Sequence, residues 1–474
     1  MNKLKILLST VLIALSTTIF AQFTVDGEFR SRFSTDHGYK LPVKANSDAV
    51  YSLDQRSRLI LGYSNEKLSA KLSLQDARVW GSDDLYNKTG VEGNSNSFGV
   101  YEAWVELKMG KHTSIRVGRQ EWNYNDMRVL SWRNWWTSGL SYDGVLFKFH
   151  NKESGWLIDA GASYNNDGTR TGMVDNSNWN VDKLKTMNFL NVKKVINDKF
   201  HASLMLTLSG KQDVANNVLL GTGTHGLMLS YNKGKSGQNG FFAFGSAYYQ
   251  HGKDFSRGSD GERKNIAAYL VTAELGMRTM EKKLEVSLGM ELISGRDYSN
   301  DDEAYNNTRH TFDLMYSARF PYYGGHINYF LVQDNYKIGT KGGGYFDPNL
   351  KVNYKFTPKD ILQFAFYAPM LTTKVAAHSG FDPETKKPVA EFDENGDPVY
   401  WEGSMGNHID LEYTRKFSKE VILKVGASYA MVSDTKNQMV YGYQDQANKA
   451  LYDLGNNYFV YTMLIVKPQF FSSK

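Results

Sequence analysis

Apolar and polar residues alternate along the chain from residue 23 onward. Over 23–33 the odd positions carry apolar or small residues such as Phe23 and Phe29, and the even positions include Arg30 and Arg32. Because successive side chains of a strand point to opposite faces, a period of two predicts a β-strand. An arginine facing lipid at mid-bilayer would cost about 2–4 kcal/mol, so in a membrane the charged face must point inward.

Segments of about ten residues repeat this alternation, and that length lets a tilted strand cross a bilayer. Within 101–109 the alternation places Tyr101 with Val105 on the apolar face and Glu102 with Glu106 on the polar face. The other clear segments are 68–74, 200–208, 284–292 and 423–431.

The connections between these segments alternate between short and long. Eight short turns lie near residues 65, 111, 152, 197, 236, 280, 358 and 418. Nine long polar segments separate them, at 34–50, 79–98, 123–140, 166–183, 210–222, 252–263, 295–345, 371–405 and 433–456. This pattern predicts an all-β fold, a transmembrane antiparallel barrel of about eighteen strands with short periplasmic turns and long extracellular loops. A soluble β-sandwich, the alternative, has no reason to keep its long loops at one end.

The segment 295–345 allows a second interpretation of the strand count. It contains strand-like stretches at 310–318 and 327–332, which would raise the count to about twenty. We favour a long loop that folds into the barrel. The chain shows no other domain boundary, so residues 22–474 are predicted to form a single domain.

Residues 1–21 are typical of a signal peptide, because a basic start precedes an apolar run at 6–20. No later stretch approaches about eighteen consecutive apolar residues, which excludes a helical membrane protein. The absence of cysteine excludes disulfides and thiolate chemistry. The 30 Tyr and 26 Phe against only 9 Pro favour strands, and the net charge of +5 predicts no nucleic-acid partner.

Three groups of residues resemble one known family. Val117–Glu121 reads Val-Gly-Arg-Gln-Glu, and it is followed by Asp126–Arg128, a tryptophan-rich loop and Tyr142–Val145, which reads Tyr-Asp-Gly-Val. The second group is Leu292–Asp297 with Gly325–Phe330, and the third is Tyr461–Pro468. In these features the chain is similar to the alginate export family of outer-membrane channels, which includes porins from Bacteroidetes-type bacteria.

The resemblance implies an eighteen-stranded export or diffusion channel in the outer membrane of a Gram-negative bacterium. It does not imply that alginate is the solute, because a fold does not carry a substrate with it. Asn328 stands where the family's long loop would lead us to expect an acidic residue.

Ten charged residues form the candidate lumen site. Guanidinium groups bind carboxylates, sulfates and phosphates with two hydrogen bonds, so a ladder of arginines would give an anionic solute several weak sites in series. The alternative is a network of ion pairs that only stiffens the wall, and Arg119 would need a bulge to reach the lumen. The ten residues are Arg30, Arg32, Arg56, Arg58, Arg78, Arg116, Arg119, Arg128, Glu102 and Asp143.

Acidic residues lie on later strands, so an acidic wall facing a basic wall would set a field across the pore. The alternative is an ordinary polar lining. These residues are Glu274, Glu285, Glu291, Asp410 and Glu412. Trp132, Trp135 and Trp136 are interpreted either as a stacking platform for sugar rings or, preferably, as girdle or loop-packing residues.

The sequence contains no recognisable catalytic constellation, and no enzyme activity, cofactor or metal is predicted. Asp393, Asn395 and Asp397 alternate as in calcium loops, but Pro398 and Ser404 occupy the places of the required glycine and glutamate.

We therefore expect a channel that passes hydrophilic solutes, namely anions or oligosaccharides, with polysaccharide included in the expected solute class. Its expected partners are outer-membrane lipid, these solutes, and the assembly machinery that reads the terminal Phe470 and Phe471. The alternative is a receptor or adhesin that binds an outside partner through loops 123–140 and 371–405. The first strand starts too close to the leader to leave room for the plug domain of a TonB-dependent receptor.

Overall fold

The computed structural model describes residues 21–473, with gaps at 40, 45, 81–97, 166–183, 214–217, 235–236, 319–338 and 443–454. The leader, except for Ala21, lies outside the described residues, as do the strand-like stretch 327–332 and the family motif at 325–330. No helix among the described residues is long and apolar enough to cross a membrane.

Eighteen antiparallel strands of the described chain close into one barrel, which confirms the predicted fold class. Each strand pairs with the next along the chain, and β1 pairs with β23 to close the sheet. The first nine are β1 (Gln22–His37), β2 (Val50–Ser64), β3 (Leu68–Val79), β4 (Phe98–Lys108), β5 (Thr113–Gln120), β6 (Tyr142–Asn151), β7 (Trp156–Tyr164), β8 (Leu184–Val195) and β9 (Phe200–Asp213). The other nine are β10 (Val218–Tyr231), β11 (Gly240–Arg257), β12 (Arg263–Thr279), β13 (Leu284–Ile293), β15 (Tyr345–Lys355), β16 (Asp360–Tyr367), β21 (Gly406–Lys416), β22 (Val421–Val432) and β23 (Asn457–Val466).

Short elements occupy the long loops and one terminus. They are α1 (Glu303–Asn306), β14 (Thr308–Arg309), β17 (Val375–Ala376), β18 (His378–Phe381), β19 (Pro388–Ala390), β20 (Tyr400–Trp401), α2 (Asp434–Tyr441) and β24 (Gln469–Ser472). Val375, Trp401 and Met439 from three of these elements are buried in one hydrophobic cluster at the long-loop end. That end of the barrel is therefore covered by packed loops.

Two of the predicted long loops are mostly strand. Within 210–222 only 214–217 falls outside β9 and β10, and β11 and β12 remain paired as far as Arg257 and Arg263. Polar residues interrupt the apolar pattern there because the barrel wall continues beyond the bilayer into water, where a strand needs no apolar face.

Side chains alternate across the wall as predicted. On β1, Phe23 and Phe33 are exposed on the outer face, whereas Glu28 and Arg30 are buried on the inner face. The prediction for Tyr101 was wrong. A register shift between Ser73 and Leu74 on β3 marks a bulge in β4, so Tyr101 and the adjacent Glu102 are both buried on the inner face.

Candidate functional site: a crossbar in the lumen

The connection between β5 and β6, residues 121–141, crosses the lumen, and we call it the crossbar. Its residues 134–138 contact β1 and β2, and its residues 126–128 contact β11, β12 and β13. β2 and β11 lie on opposite sides of the eighteen-stranded barrel, so the crossbar spans its diameter.

A second segment runs beside the crossbar. The backbone N–H groups of Tyr316 and Ala318 donate to the carbonyl oxygens of Val129 and Met127, at 3.2 and 2.8 Å. This segment, 310–318, belongs to the loop that the sequence analysis expected to fold inward, whose residues 319–338 lie outside the described part of the chain. The sequence analysis did not expect loop 123–140 to fold inward.

Arginines of β1 and β2 hold one end of the crossbar. Arg30, whose exposed fraction is 5%, donates to the carbonyl oxygens of Asn134 and Trp136, the latter at 2.7 Å. Arg56, with an exposed fraction of 1%, donates to Glu28 at 2.7 Å and to the Asn134 side-chain oxygen at 2.8 Å. Hydrogen bonds from a charged donor are roughly twice as strong as neutral ones, so this end is firmly held.

Two neighbouring arginines extend this anchor. Arg32 pairs with Asp54 at 2.8 Å, and its guanidinium lies 4.6 Å from the centre of the Trp135 ring. Arg58 lies 3.5 Å from the centre of the Tyr101 ring and donates weakly to the Ser138 carbonyl at 3.4 Å. The bulge in β4 therefore turns Tyr101 inward to support an arginine.

The far end of the crossbar is fixed by side chains of its own. Arg128 donates to Glu291 of β13 at 2.8 Å, and Asp126 accepts from Ser246 and Tyr248 of β11 at 2.7 and 2.6 Å. Arg128 and Asp126 are both buried. Each buried charge has a partner here, as burial of an ion requires.

Three of the predicted lumen residues lie on the outer face of the barrel instead of the inner face. Arg78 and Arg119 share the outward parity of Leu74 and Val117, and Arg119 pairs with Asp143, which is exposed on the outer face of β6. No bulge brings Arg119 inward. Arg78 forms a comparable pair with Asp76 at 2.7 Å, and both pairs lie near the long-loop ends of their strands, where polar groups meet water or lipid headgroups.

Arg116 and Glu102 do lie on the inner face, but in separate ion pairs. Arg116 pairs with Glu106 at 2.6 Å and stacks on Trp104 at 3.7 Å, whereas Glu102 pairs with Lys71. The ten candidates therefore do not form one continuous ladder. Four of them, on β1 and β2, anchor the crossbar, and Arg128 anchors its other end.

The crossbar residues Trp132, Trp135 and Trp136 line the lumen, so the girdle interpretation was wrong and loop packing is observed. Trp135 packs edge-on against Tyr461 of β23, with ring centres 5.0 Å apart. Trp132 and Trp136 line the same cavity as Trp135. Because the crossbar lies inside the barrel, loop 123–140 is not an outward binding surface, contrary to the receptor alternative.

A cavity of about 500 Å³ lies between the crossbar and the wall formed by β1, β15, β16 and β21–β23. Six cationic and three acidic side chains line it. The cationic ones are Arg30, Arg56, Arg133, Lys351, Lys424 and Lys467, and the acidic ones are Glu28, Asp410 and Glu412. The sequence analysis missed the three lysines, although strand parity beside Leu423 and Val425 would have placed Lys424 inward.

The acidic wall expected on the later strands is largely neutralised locally. Glu412 pairs with Lys424 at 2.5 Å, Glu285 with Arg278 at 2.6 Å, and Glu274 with Lys233. Glu291 forms an ion pair with Arg128. Around the cavity beside the crossbar, cationic side chains therefore outnumber acidic ones.

The crossbar begins with a carboxyl group in an unusual environment. Glu121 accepts a hydrogen bond from the Tyr101 hydroxyl at 2.8 Å. Burial, together with the nearby Glu102, raises the pKa of Glu121 above its ordinary value. Glu121 therefore takes up a proton at a higher pH than an exposed glutamate does.

The alginate export family model matches residues 21–170. No curated protein sequence matches the chain. Solved structures with a similar fold include OccD3 (OpdP) of Pseudomonas aeruginosa, with 12% identity, TM-score 0.55, and coverage of 95% of this chain and 92% of that one. OccAB1 of Acinetobacter baumannii has 12% identity, TM-score 0.54, and coverage of 95% and 97%. The outer membrane protein opdK of Pseudomonas aeruginosa has 9% identity, TM-score 0.52, and coverage of 95% and 99%.

The structural likeness concerns the fold, and the family match concerns the first third of the chain. The family match points to a channel of the Gram-negative outer membrane and not to an enzyme, and the structural matches share the barrel fold. With the closed barrel and the lined cavity, these matches identify the chain as an outer-membrane β-barrel channel whose residues 21–170 match the alginate export family.

Proposed function

We propose that the channel passes small hydrophilic anions through the cavity beside the crossbar. The observation that carries this proposal is the excess of cationic over acidic side chains around a cavity of about 500 Å³. A surplus of fixed positive charge raises the local concentration of anions in a low-dielectric passage.

The arginine anchor supports the same proposal. Arg30 donates to the carbonyl oxygens of Asn134, Trp135 and Trp136, which are neutral groups. Its positive charge is therefore not cancelled by these bonds, and it lines the cavity. In this proposal the candidate arginines act twice, because they hold the crossbar and also contribute to the field that attracts anions.

Oligosaccharides are part of the proposed solute class, including segments of a polysaccharide. Trp132, Trp135 and Trp136 line the cavity next to Arg133. Aromatic faces bind the apolar faces of sugar rings, and the neighbouring cations would bind sugar carboxylates. Asp410 and Glu412 face the same cavity, so a dipolar solute would be oriented across it.

We also propose export through a cleaved leader at residues 1–21 and insertion by the outer-membrane assembly machinery. The exposed Phe470 and Phe471 at the end of the chain support recognition by that machinery. Phe471 packs on Phe23, with ring centres 6.2 Å apart, so the signal would be presented where the barrel closes.

Reversal potential in planar bilayers under a salt gradient tests the anion proposal. The wild type should prefer anions, and Lys351→Gln/Lys467→Gln should lower the anion-to-cation permeability ratio at least about twofold, because two lining charges are lost. Lys419→Gln, in the exposed turn between β21 and β22, is the control for charge.

A cation preference of the wild type would overturn the proposed solute class. A correctly folded barrel without any conductance would overturn the open passage itself.

A further inference from the structure

A second cavity of about 400 Å³ lies below the crossbar, toward the short-turn end of β8–β15. Asn125, Asp126 and Arg128 of the crossbar line it from above, and Lys233 and Gly234 of the turn between β10 and β11 line it from below. Because the buried Asp126 and Arg128 bind the wall of β11–β13, the crossbar closes this cavity toward the long-loop end.

The acidic side chains of this cavity are already committed. Asp126 accepts from Ser246 and Tyr248, Glu291 accepts from Arg128, and Glu274 pairs with Lys233. Lys193 of β8 lines the same cavity. No ion pair or hydrogen bond joins the Lys193 ammonium group to any of the described residues.

Two polar groups on β9 that lack a hydrogen-bond partner among the described residues lie near Lys193. Ser203 lies directly opposite Lys193 in the β8–β9 register, and its hydroxyl is buried with an exposed residue fraction of 2%. Within the described part of the chain, neither the Ser203 Oγ nor the His201 Nδ1 has a hydrogen-bond partner. His201 also lines the cavity. Buried polar groups are normally hydrogen-bonded, so this corner is suited to a polar ligand.

We propose that this cavity binds a small oxyanion, meaning a free carboxylate or phosphate group, with Lys193 as its charge partner. His201, which lines the cavity, would donate a ring N–H, and Ser203 lies directly opposite Lys193 in the strand register. The inference rests on the proposed function and deepens it, because it places a retention site for small anions beside the passage. Lys351 lines both cavities, so the two adjoin.

Lysine acylation with mass-spectrometric readout tests the site on the refolded full barrel. Lys194 is the matched internal control, because it follows Lys193 on β8 but faces outward, 4.7 Å from the Trp156 ring centre. Inorganic phosphate or acetate, replacing chloride at constant ionic strength, should slow acylation of Lys193 about fivefold or more at saturation. Acylation of Lys194 should remain unchanged.

His201→Asn should raise the phosphate concentration needed for half-protection about tenfold, since one donor is lost. Protection by phosphate alone or by acetate alone supports the site and identifies the oxyanion that it prefers. Equal labelling of Lys193 in phosphate, acetate and chloride would overturn the inference.

Bilayer measurements on the same preparation separate the two proposals. If the channel conducts anions selectively but phosphate and acetate do not protect Lys193 from acylation, the oxyanion site is rejected and the proposed anion passage stands. If phosphate or acetate protects Lys193 but the barrel does not conduct, the anion passage is rejected and the oxyanion site stands.

Discussion

At the scale of single residues, the buried arginines hold a loop rather than form a ladder. Arg30 and Arg56 use their donors on Asn134 and on the adjoining carbonyl groups. Because most of these acceptors are neutral, the hydrogen bonds do not cancel the positive charge of the two arginines, which still acts on the cavity. The two interpretations offered by the sequence, a solute ladder and a stiffening network, are therefore not exclusive for these residues.

Arg30→Gln should loosen the crossbar without unfolding the barrel. The variant loses the charged donors to Asn134, Trp135 and Trp136, whereas the eighteen strands keep their pairing. Single-channel recordings should therefore show stronger current fluctuation than the wild type. Arg78→Gln, which removes an arginine on the outer face of the barrel, is the control, and equal fluctuation in the two variants would contradict the anchor.

The packing of α2 should depend on pH through Lys436. Its Nζ donates to the Gly339 carbonyl at 2.7 Å, and burial lowers the pKa of Lys436 to about 7. Between about pH 7 and the ordinary lysine pKa of about 10.4, the undocked state binds more protons than the docked one, so docking strengthens as pH rises through this window. Below about pH 7 both states are protonated and docking is weakest.

Amide hydrogen exchange of α2 at pH 6 and pH 9, corrected for intrinsic rates, measures this dependence. Lys436→Met should protect α2 equally at both values. A wild type with no difference between the two would show that Lys436 does not control the docking.

At the scale of elements, the crossbar depends on a charge pair at its far end. Arg128→Met removes the arginine that pairs with the buried Glu291, which should lower the free energy of unfolding by about 3–5 kcal/mol. The double variant Arg128→Met/Glu291→Met removes both charges and should be more stable than Arg128→Met alone. Urea denaturation of the refolded barrel measures both, and a double variant less stable than the single one would contradict the pairing.

The same scale explains why the sequence analysis did not expect loop 123–140 to cross the lumen. Loops 123–140 and 295–345 are both long and polar, and nothing in the local pattern of 123–140 shows that it turns inward. That choice depends on Arg30 and Arg56 meeting the Trp136 carbonyl group, which is 106 and 80 residues away, respectively. Likewise, the bulge that turns Tyr101 inward follows from pairing with β3 and not from the alternation in β4.

At the scale of the whole molecule, anion selectivity should fall as salt rises. The Debye length is about 10 Å at 0.1 M and about 3 Å at 1 M ionic strength, so lining charges act across the cavity only in dilute salt. Reversal potentials at equal concentration ratios should show the largest anion preference near 0.1 M. A preference that is constant between these concentrations would point to size or stacking and not to fixed charge.

The amino-acid sequence by itself determined the barrel, its eighteen strands and the inward face of Glu28, Arg30 and Arg56. The period of two and the cost of a charge in lipid act locally and leave one solution. Only the tertiary structure decided that Arg119 pairs outward with Asp143, and which loop crosses the lumen. Near the strand ends, water or lipid headgroups solvate a charged side chain on either face of the barrel wall, so parity there is not fixed by the cost of a charge in lipid. The path of a long loop depends on partners that are distant in the sequence.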